Sequence, residues 1–390
     1  MSILSFPVKV FKFVSTRFFD RNLYKLSDDT SKNVAILNLS YGNHNFGAVL
    51  VSYALQKVVR NMGFVPFILN YNPVFYKYFS SLSHIRGIIA GFNFTKFRYE
   101  YLNTTRVHVC KKSIKNENKR FDNFIFGSDQ IWRYAIIKQN YGVYFGEFAE
   151  PNKNLISYAA SFGKGTWVEA PQETTDHIKS LIKKFSAVSV RELSGIDICK
   201  QHFNIDAKNV LDPTLLLDEC DYHPIMNPPH RNHPVDYIAT SFLQNNDFSV
   251  QLTNILKNRK GEKVLNILSR KLKIRNKSYT YYRTVRDWLN GIKNANVVLT
   301  DSFHCVAFSI ILKKNFICIP SENRGNARLH DLLSTLGIPN RLVSSLDDAQ
   351  KIIDEDINYN SVFEKLQEQR TISLNFLANS LKKNAHRIHQ

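Results

Sequence analysis

Across most of this chain a short apolar run ends in a polar turn, and the sequence then resumes with helical spacing. Val34-Ala35-Ile36-Leu37-Asn38-Leu39 opens the series, and Ala48 to Arg60 follows with Leu50, Tyr53, Ala54 and Val58 at helical intervals. Further apolar runs stand at Phe64–Leu69, Phe124–Phe126, Leu155–Ala160, Ala187–Val190 and Val210–Leu211. A second series runs through Val235–Ser241, Lys263–Ile267, Asn296–Leu299 and Asn315–Ile319. Helical stretches are read between them, around Val250–Lys257, Thr284–Ile292, Val306–Leu312 and Arg328–Leu336. Strands that alternate with helices imply parallel sheets with right-handed crossovers. The pattern therefore predicts an α/β fold.

A chain of 390 residues is long for one ordinary domain of ~100–200 residues, so two are expected. Composition loosens from Asp218 to Pro234, where four prolines stand among polar residues, and this stretch reads as the linker. The divisions predicted are an N-terminal segment 1–30, a first domain 31–217, a second domain 235–345 and a helical tail 346–390. Ser361 to Arg387 is amphipathic, and such a tail is expected to cross back to the first domain. Residues 70–102 break the rhythm with crowded aromatics and basic side chains, reading as an insertion. Lys111 to Arg120 reads as a solvated linker, and Arg270 to Lys277 as a basic face or a lipid or phosphate contact.

The formal charge is +19, from 52 basic against 33 acidic side chains. Such an excess calls for an anionic partner: nucleic acid, a membrane surface or phosphorylated substrates. No recognised nucleic-acid module appears, which leaves nucleic acid as the lesser reading. No apolar run reaches the length of a membrane-spanning helix. The five cysteines are scattered and form no CxxC, which suits a reducing cytoplasm and offers no zinc or disulfide framework. No signal peptide is evident in Met1 to Lys25. That segment carries Leu4, Val8, Phe11, Val14 and Phe18 at helical spacing among lysines and arginines. It either packs on the protein body or lies in a membrane interface.

The polar turns are where chemistry is expected. In open α/β sheets ligands bind beyond the carboxyl ends of the strands, and helix N-termini there attract anions. Thr300-Asp301-Ser302-Phe303-His304 is such a turn, and a histidine can move a proton or hold a phosphate. It reads equally as a helix cap beside a core histidine. Gly42-Asn43-His44-Asn45-Phe46-Gly47 is a glycine-bearing loop between a strand and a helix. It lacks the GxGxxG and Walker patterns, and a tight structural turn explains its glycines as well. Gly127-Ser128-Asp129-Gln130-Ile131-Trp132 and Ser157 to Gly163 repeat the scheme. Arg191 ends another strand, where its planar fork suits a carboxylate or phosphate.

Taken together, Gly42–Gly47, Phe126–Trp132, Ser157–Gly163, Ser189–Glu192, Asp212–Thr214, Thr300–His304 and Asn326–Arg328 resemble the polysaccharide pyruvyl transferase family. The resemblance runs from about Asn33 to Leu336. It implies two Rossmann-like domains of the GT-B type facing across a cleft. It also implies transfer of the enolpyruvyl group of phosphoenolpyruvate onto two hydroxyls of one sugar, giving a cyclic pyruvate ketal and phosphate. Phosphoenolpyruvate would be a substrate; no cofactor and no metal are implied. His304 is then expected as general acid or phosphate-holding cation. Arg191 is expected to grip the donor, with Ser302, Asn326 and Arg328 beside it on the second domain. Gly42 to Gly47, Ser128 and Asp129 are expected to line the acceptor side, with Asp129 as a base or a hydrogen-bonding group. Family members commonly carry arginine two residues before the histidine and glycine after it, whereas this chain has Ser302 and Cys305; Arg324 or Arg328 is a candidate substitute. The acceptor implied is a sugar of a bacterial surface polysaccharide or its precursor; if the resemblance holds, the basic surface and the Met1–Lys25 segment suggest that this acceptor is lipid-pyrophosphate-linked, at the inner face of the membrane. The rival readings are a nucleotide-sugar glycosyltransferase on the same scaffold, a non-catalytic family member, and a basic nucleic-acid-binding protein, which would leave His304 without a role.

Overall fold

A computed structural model of the protein describes residues 25–39, 45–73, 91–167, 170–228, 236–274, 277–321 and 325–382. The N-terminal segment up to residue 24, the loop residues Gly42, Asn43 and His44, much of the 70–102 insertion and Arg324 lie outside them.

The chain forms two parallel sheets. The first contains β1 (Asn33–Leu37), β2 (Val65–Ile68), β3 (Asn123–Phe126), β4 (Asn154–Ala160), β5 (Ala187–Val190) and β6 (Lys208–Asn209), in the order β2-β1-β3-β4-β5-β6. Strands β1, β3 and β4 are buried along their whole length, which is why they read as continuous apolar runs rather than alternating ones. Helix α1 (Phe46–Asn61) follows β1, and α2 (Phe92–Tyr101) lies in the described part of the insertion. The stretch read as a solvated linker is instead a short helix, Lys111–Lys115, and a 3-10 turn, Asn116–Lys119. Ile114, Glu117 and Asn118 in it are buried; Glu117 Oε2 accepts from Arg120 Nη1 at 2.9 Å, and its Oε1 lies 3.0 Å from His108 Nε2. Its charge run hid this inward-facing trio.

The expected linker is shorter than its composition suggested. Helix α3 (Glu219–Met226) occupies its first half, tolerating Pro224 inside, and buries Tyr222, Ile225 and Met226. The second sheet contains β7 (Tyr237–Ser241), β8 (Lys263–Asn266), β11 (Val297–Thr300) and β12 (Phe316–Cys318), in the order β12-β11-β7-β8. Helix α4 (Asp247–Lys260) joins β7 to β8. The basic stretch read as a face is a hairpin of β9 (Ser269–Ile274) and β10 (Lys277–Tyr282) outside that sheet. Helix α5 (Val285–Lys293) precedes β11, α6 (Phe303–Ile311) follows it, and α7 (Ala327–Thr335) follows β12.

One apolar core runs through both halves. Phe46 of α1 stacks on Trp288 of α5, with centroids 5.1 Å apart and planes 9° from parallel. Trp288 meets Phe308 of α6, and Phe308 meets Tyr222 of α3. Aromatic pairs of this kind add to the area they bury. Helix α1 is apolar almost all round because its residues are buried by both sheets' elements.

The tail forms α8 (Tyr359–Lys382) and returns to the first sheet. Arg370, buried on it, donates from Nε to the Leu215 carbonyl, from Nη2 to the Leu217 carbonyl and from Nη1 to Asp218, each at 2.6 Å. Ser373 Oγ accepts from the Leu211 backbone at 2.9 Å, and the Ser380 carbonyl accepts from Asn154. Two parallel sheets with such a returning helix make the Rossmann-like pair of the GT-B type.

Candidate active site

Strand order reverses between β1 and β3 in the first sheet and between β7 and β11 in the second. Ligands of open α/β sheets bind beyond the strand ends at such switch points. Asp129 follows β3, and His304 follows β11. The structure brings these two together with Arg191, Arg328 and Asp212, a residue that the sequence marks only as part of the resemblance and to which it assigns no role.

Arg191, beyond β5, is the hub. Its Nη1 donates to Asp212 Oδ2 at 2.9 Å and its Nη2 to Asp129 Oδ1 at 3.2 Å. Its guanidinium lies 4.5 Å over the Phe303 ring, a cation–π contact from the other half of the protein. Its Nε is buried without a hydrogen-bond partner. Burial works against this charge, but Asp129, Asp212 and Glu192 hold the guanidinium even more firmly protonated than usual.

Asp212 ends the turn after β6. Its Oδ1 accepts from the Thr214 backbone at 3.0 Å and from Thr214 Oγ1 at 2.7 Å, capping the 3-10 turn Pro213–Leu216. Its Oδ2 takes Arg191 Nη1, lies 2.9 Å from Ser128 Oγ, and faces His304 Nε2 at 3.7 Å. That last distance is close enough for attraction between charges but too long for a hydrogen bond. Burial pushes the Asp212 carboxyl up; His304, Arg191 and Thr214 together hold it well below the usual carboxylate range. Asp129 is governed alike: burial raises it, and Arg191, His304 and Arg328 lower it further than that. Its backbone sits at φ +73°, an uncommon region for a residue with a side chain and a form of strain that collects at functional sites.

His304 occupies the first turn of α6, which begins three residues earlier than the apolar run suggested. It is buried, and its ring packs on Gly47 in the first turn of α1. A Cβ built on Gly47 would lie 2.0 Å from His304 Nδ1, so only glycine fits there beside the imidazole. Two helix N-termini, those of α1 and α6, thus converge on this histidine, and their free N–H groups favour an anion. Arg328, in the first turn of α7, brings Nη1 to 3.9 Å from Asp129 Oδ1. Burial and the nearby Arg191 charge push the Arg328 guanidinium down to about 10, against the opposing pull of Asp129. A cation destabilised by burial and by another cation gains when an anion arrives.

The other expected site residues are placed differently. Phe46 is in the aromatic core and Ser128 is fully buried, bonding to Asp212 and the Ala159 carbonyl. Asn45 caps α1, its side chain accepting from the Ala48 backbone at 3.4 Å. Asn326 Oδ1 accepts from the Ser321 backbone at 2.8 Å and so closes its own loop. The Ser302 backbone donates to Thr300 Oγ1 at 3.0 Å, and its side chain makes no capping bond. Asp301 is spent on the β7 loop, accepting from the Leu243 and Gln244 backbones at 2.7 and 3.0 Å. Glu192, given no role from the sequence, shapes the β4 loop: its Oε1 accepts from Ser161 Oγ and from the Phe162 and Gly163 backbones.

The arrangement offers a buried cationic group with an imidazole, drawn from both sheets and framed by two carboxylates. It suits a substrate carrying phosphate or carboxylate and a step that moves a proton. Among solved structures the chain is similar to a glycosyltransferase from Rickettsia africae ESF-5, at 12% identity over 91% of this chain and 97% of that one, with a TM-score of 0.43. It is also similar to the wall teichoic acid polymerase TagF, at 11% identity over 100% of both chains, with a TM-score of 0.44. Neither likeness bears on chemistry. No curated protein sequence matches the chain. The family model of polysaccharide pyruvyl transferases matches residues 45–323, and the chain belongs to that family.

Proposed function

We propose that this transferase moves the enolpyruvyl group of phosphoenolpyruvate onto two hydroxyls of one sugar, forming a cyclic pyruvate ketal and releasing phosphate. The observation that carries the reading is the meeting of Arg191, His304 and Arg328 at two helix N-termini, in a chain of this family. The donor's phosphate would lie against those N-termini, Arg191 and His304. A proton delivered to the methylene carbon makes it a methyl group and leaves oxocarbenium character on the adjacent carbon, which the first hydroxyl attacks. Breaking the carbon–oxygen bond to phosphate renews that character, and the second hydroxyl closes the ring. Each hydroxyl gives up its proton, one balancing the proton taken by the methylene and the other accompanying the phosphate. His304 is the general acid of this scheme, and Arg191 and Arg328 stabilise the departing phosphate. Asp129 stands within reach of both arginines as a candidate base for an acceptor hydroxyl.

The acceptor in this proposal belongs to a bacterial surface polysaccharide or its lipid-pyrophosphate-linked precursor, met at the inner face of the membrane. The charge of +19 supports an anionic partner of that kind. Among the described residues no helix is long and apolar enough to cross a membrane. The test is phosphate release from phosphoenolpyruvate with a panel of sugars, each supplied as a soluble aryl glycoside and as a lipid-linked form in anionic vesicles. Release that needs an acceptor, is faster in vesicles and disappears in Arg191→Met and His304→Ala is expected. Release indifferent to acceptor, or unchanged in both variants, would sink the reading; equal rates for the two forms would remove the membrane part alone.

A further inference from the structure

Arg133, immediately after the Gly-Ser-Asp-Gln-Ile-Trp turn, is a half-buried cation that the ion pairs of the site leave aside. No carboxylate among the described residues neutralises it. Its Nε is buried without a hydrogen-bond partner, and its Nη1 reaches only the Gln130 side chain, at 3.4 Å. A guanidinium has five donors in a fixed fork, so most of this one's capacity is unspent. The place it occupies is built for it. Gly163, at φ +79°, packs on the arginine's stem: a Cβ there would fall 2.8 Å from Arg133 Cδ. The Gly163 carbonyl in turn abuts Gly325 of the other half, where a Cβ would fall 2.0 Å from that oxygen. Three residues beyond Gly325 stands Arg328, whose guanidinium feels the Arg133 charge. Arg133 therefore lies where the loops after β3, β4 and β12 meet, on the same ends of the strands as Arg191 and His304.

We propose that Arg133 binds the donor's carboxylate, beside the Arg191, His304 and Arg328 group that takes its phosphate; this rests on the donor assignment above. The phosphate, with the greater charge, matches the two helix N-termini. The planar carboxylate matches a guanidinium fork. Arg133 also supplies, from the first half of the chain, positive charge that Ser302 does not.

The test is calorimetric binding of phosphoenolpyruvate and of inorganic phosphate to the full-length protein, Arg133→Met and Arg133→Lys. Methionine keeps an apolar stem against Gly163, and lysine keeps the charge without the fork. The expected result is phosphoenolpyruvate binding weakened about 10–100-fold in Arg133→Met, as for loss of a charged hydrogen bond, and less in Arg133→Lys. Phosphate binding stays unchanged in both. Unchanged phosphoenolpyruvate affinity in Arg133→Met, or phosphate affinity falling by the same factor, overturns the proposal. A wild-type protein that binds phosphate but not phosphoenolpyruvate overturns the donor assignment itself.

Discussion

Replacing Gly47 with alanine puts the site geometry to a quantitative test that needs no substrate. Gly47 lies inside α1 with ordinary helical backbone, so alanine there should gain about 0.5–1 kcal/mol from helix propensity alone. The new methyl, however, would fall 2.0 Å from His304 Nδ1 and 2.4 Å from its Cγ. The His304 side chain is 8% exposed, with Asp212 on its far side and Phe303 at its edge, so it has little room to retreat. Overpacking of this kind costs about 1–3 kcal/mol, which outweighs the propensity gain. Gly47→Ala should therefore lower stability by about 1 kcal/mol. With His304→Ala already in place the obstacle is gone, and the same substitution should raise stability by about 0.5–1 kcal/mol. The coupling between the two positions is then about 2 kcal/mol, within the range for residues in contact. Urea unfolding of the wild type, both single variants and the double variant measures it. Equal effects of Gly47→Ala in the two backgrounds would show that His304 does not pack on the α1 N-terminus.

Other consequences follow from the buried charges. Asp212→Asn keeps the Thr214 contacts but turns an amide toward Arg191, leaving that guanidinium with Asp129 as its carboxylate. Breaking a buried pair costs about 3–5 kcal/mol, and the surviving partner puts the expected loss near the lower end. Asp129 and Asp212 both have folded pKa values below those of the unfolded chain, so their stabilisation is present above the ordinary carboxylate value. It is lost as pH falls through the depressed values. Urea midpoints should fall as pH drops below about 4, and less steeply in Asp212→Asn; parallel slopes would contradict the assignment. Arg370→Met removes the donors to the Leu215 and Leu217 carbonyls and should loosen α8 from the first sheet at a cost of about 3 kcal/mol. Limited proteolysis should cut the tail faster; an unchanged rate would argue against that anchoring.

Much of the architecture was legible because parallel strands buried on both faces leave an uninterrupted signal, as at Val34–Leu37 and Val297–Leu299. Their polar turns marked where Asp129, Arg191 and His304 would stand, since strand ends are where an α/β sheet exposes polar groups. Asp212 was visible as part of the Asp-Pro-Thr segment, a helix-start pattern, but its role in the site was not. That pattern accounts for Oδ1 and Thr214, while the task of Oδ2 depends on residues more than 20 and more than 80 positions away in the sequence. Phe46 and Ser128 misled for the converse reason: their neighbours in sequence border the site, but their side chains are spent inside the protein. Lys111–Lys119 looked like a solvated run because lysines outnumber the three residues that turn inward. Periodicity also placed the start of α6 too late, because Phe303, His304 and Cys305 read as part of a polar turn.

The central claim is tested most directly by following the donor carbon. Phosphoenolpyruvate labelled with ¹³C at the carbon bearing phosphate would be incubated with the protein and an acceptor sugar, and the product examined by ¹³C NMR. The account predicts that the label becomes a saturated carbon bonded to two sugar oxygens, a methyl group and a carboxylate, with one phosphate released per ketal. Label that stays in phosphoenolpyruvate or appears only as free pyruvate, with an acceptor the protein demonstrably binds, would contradict it.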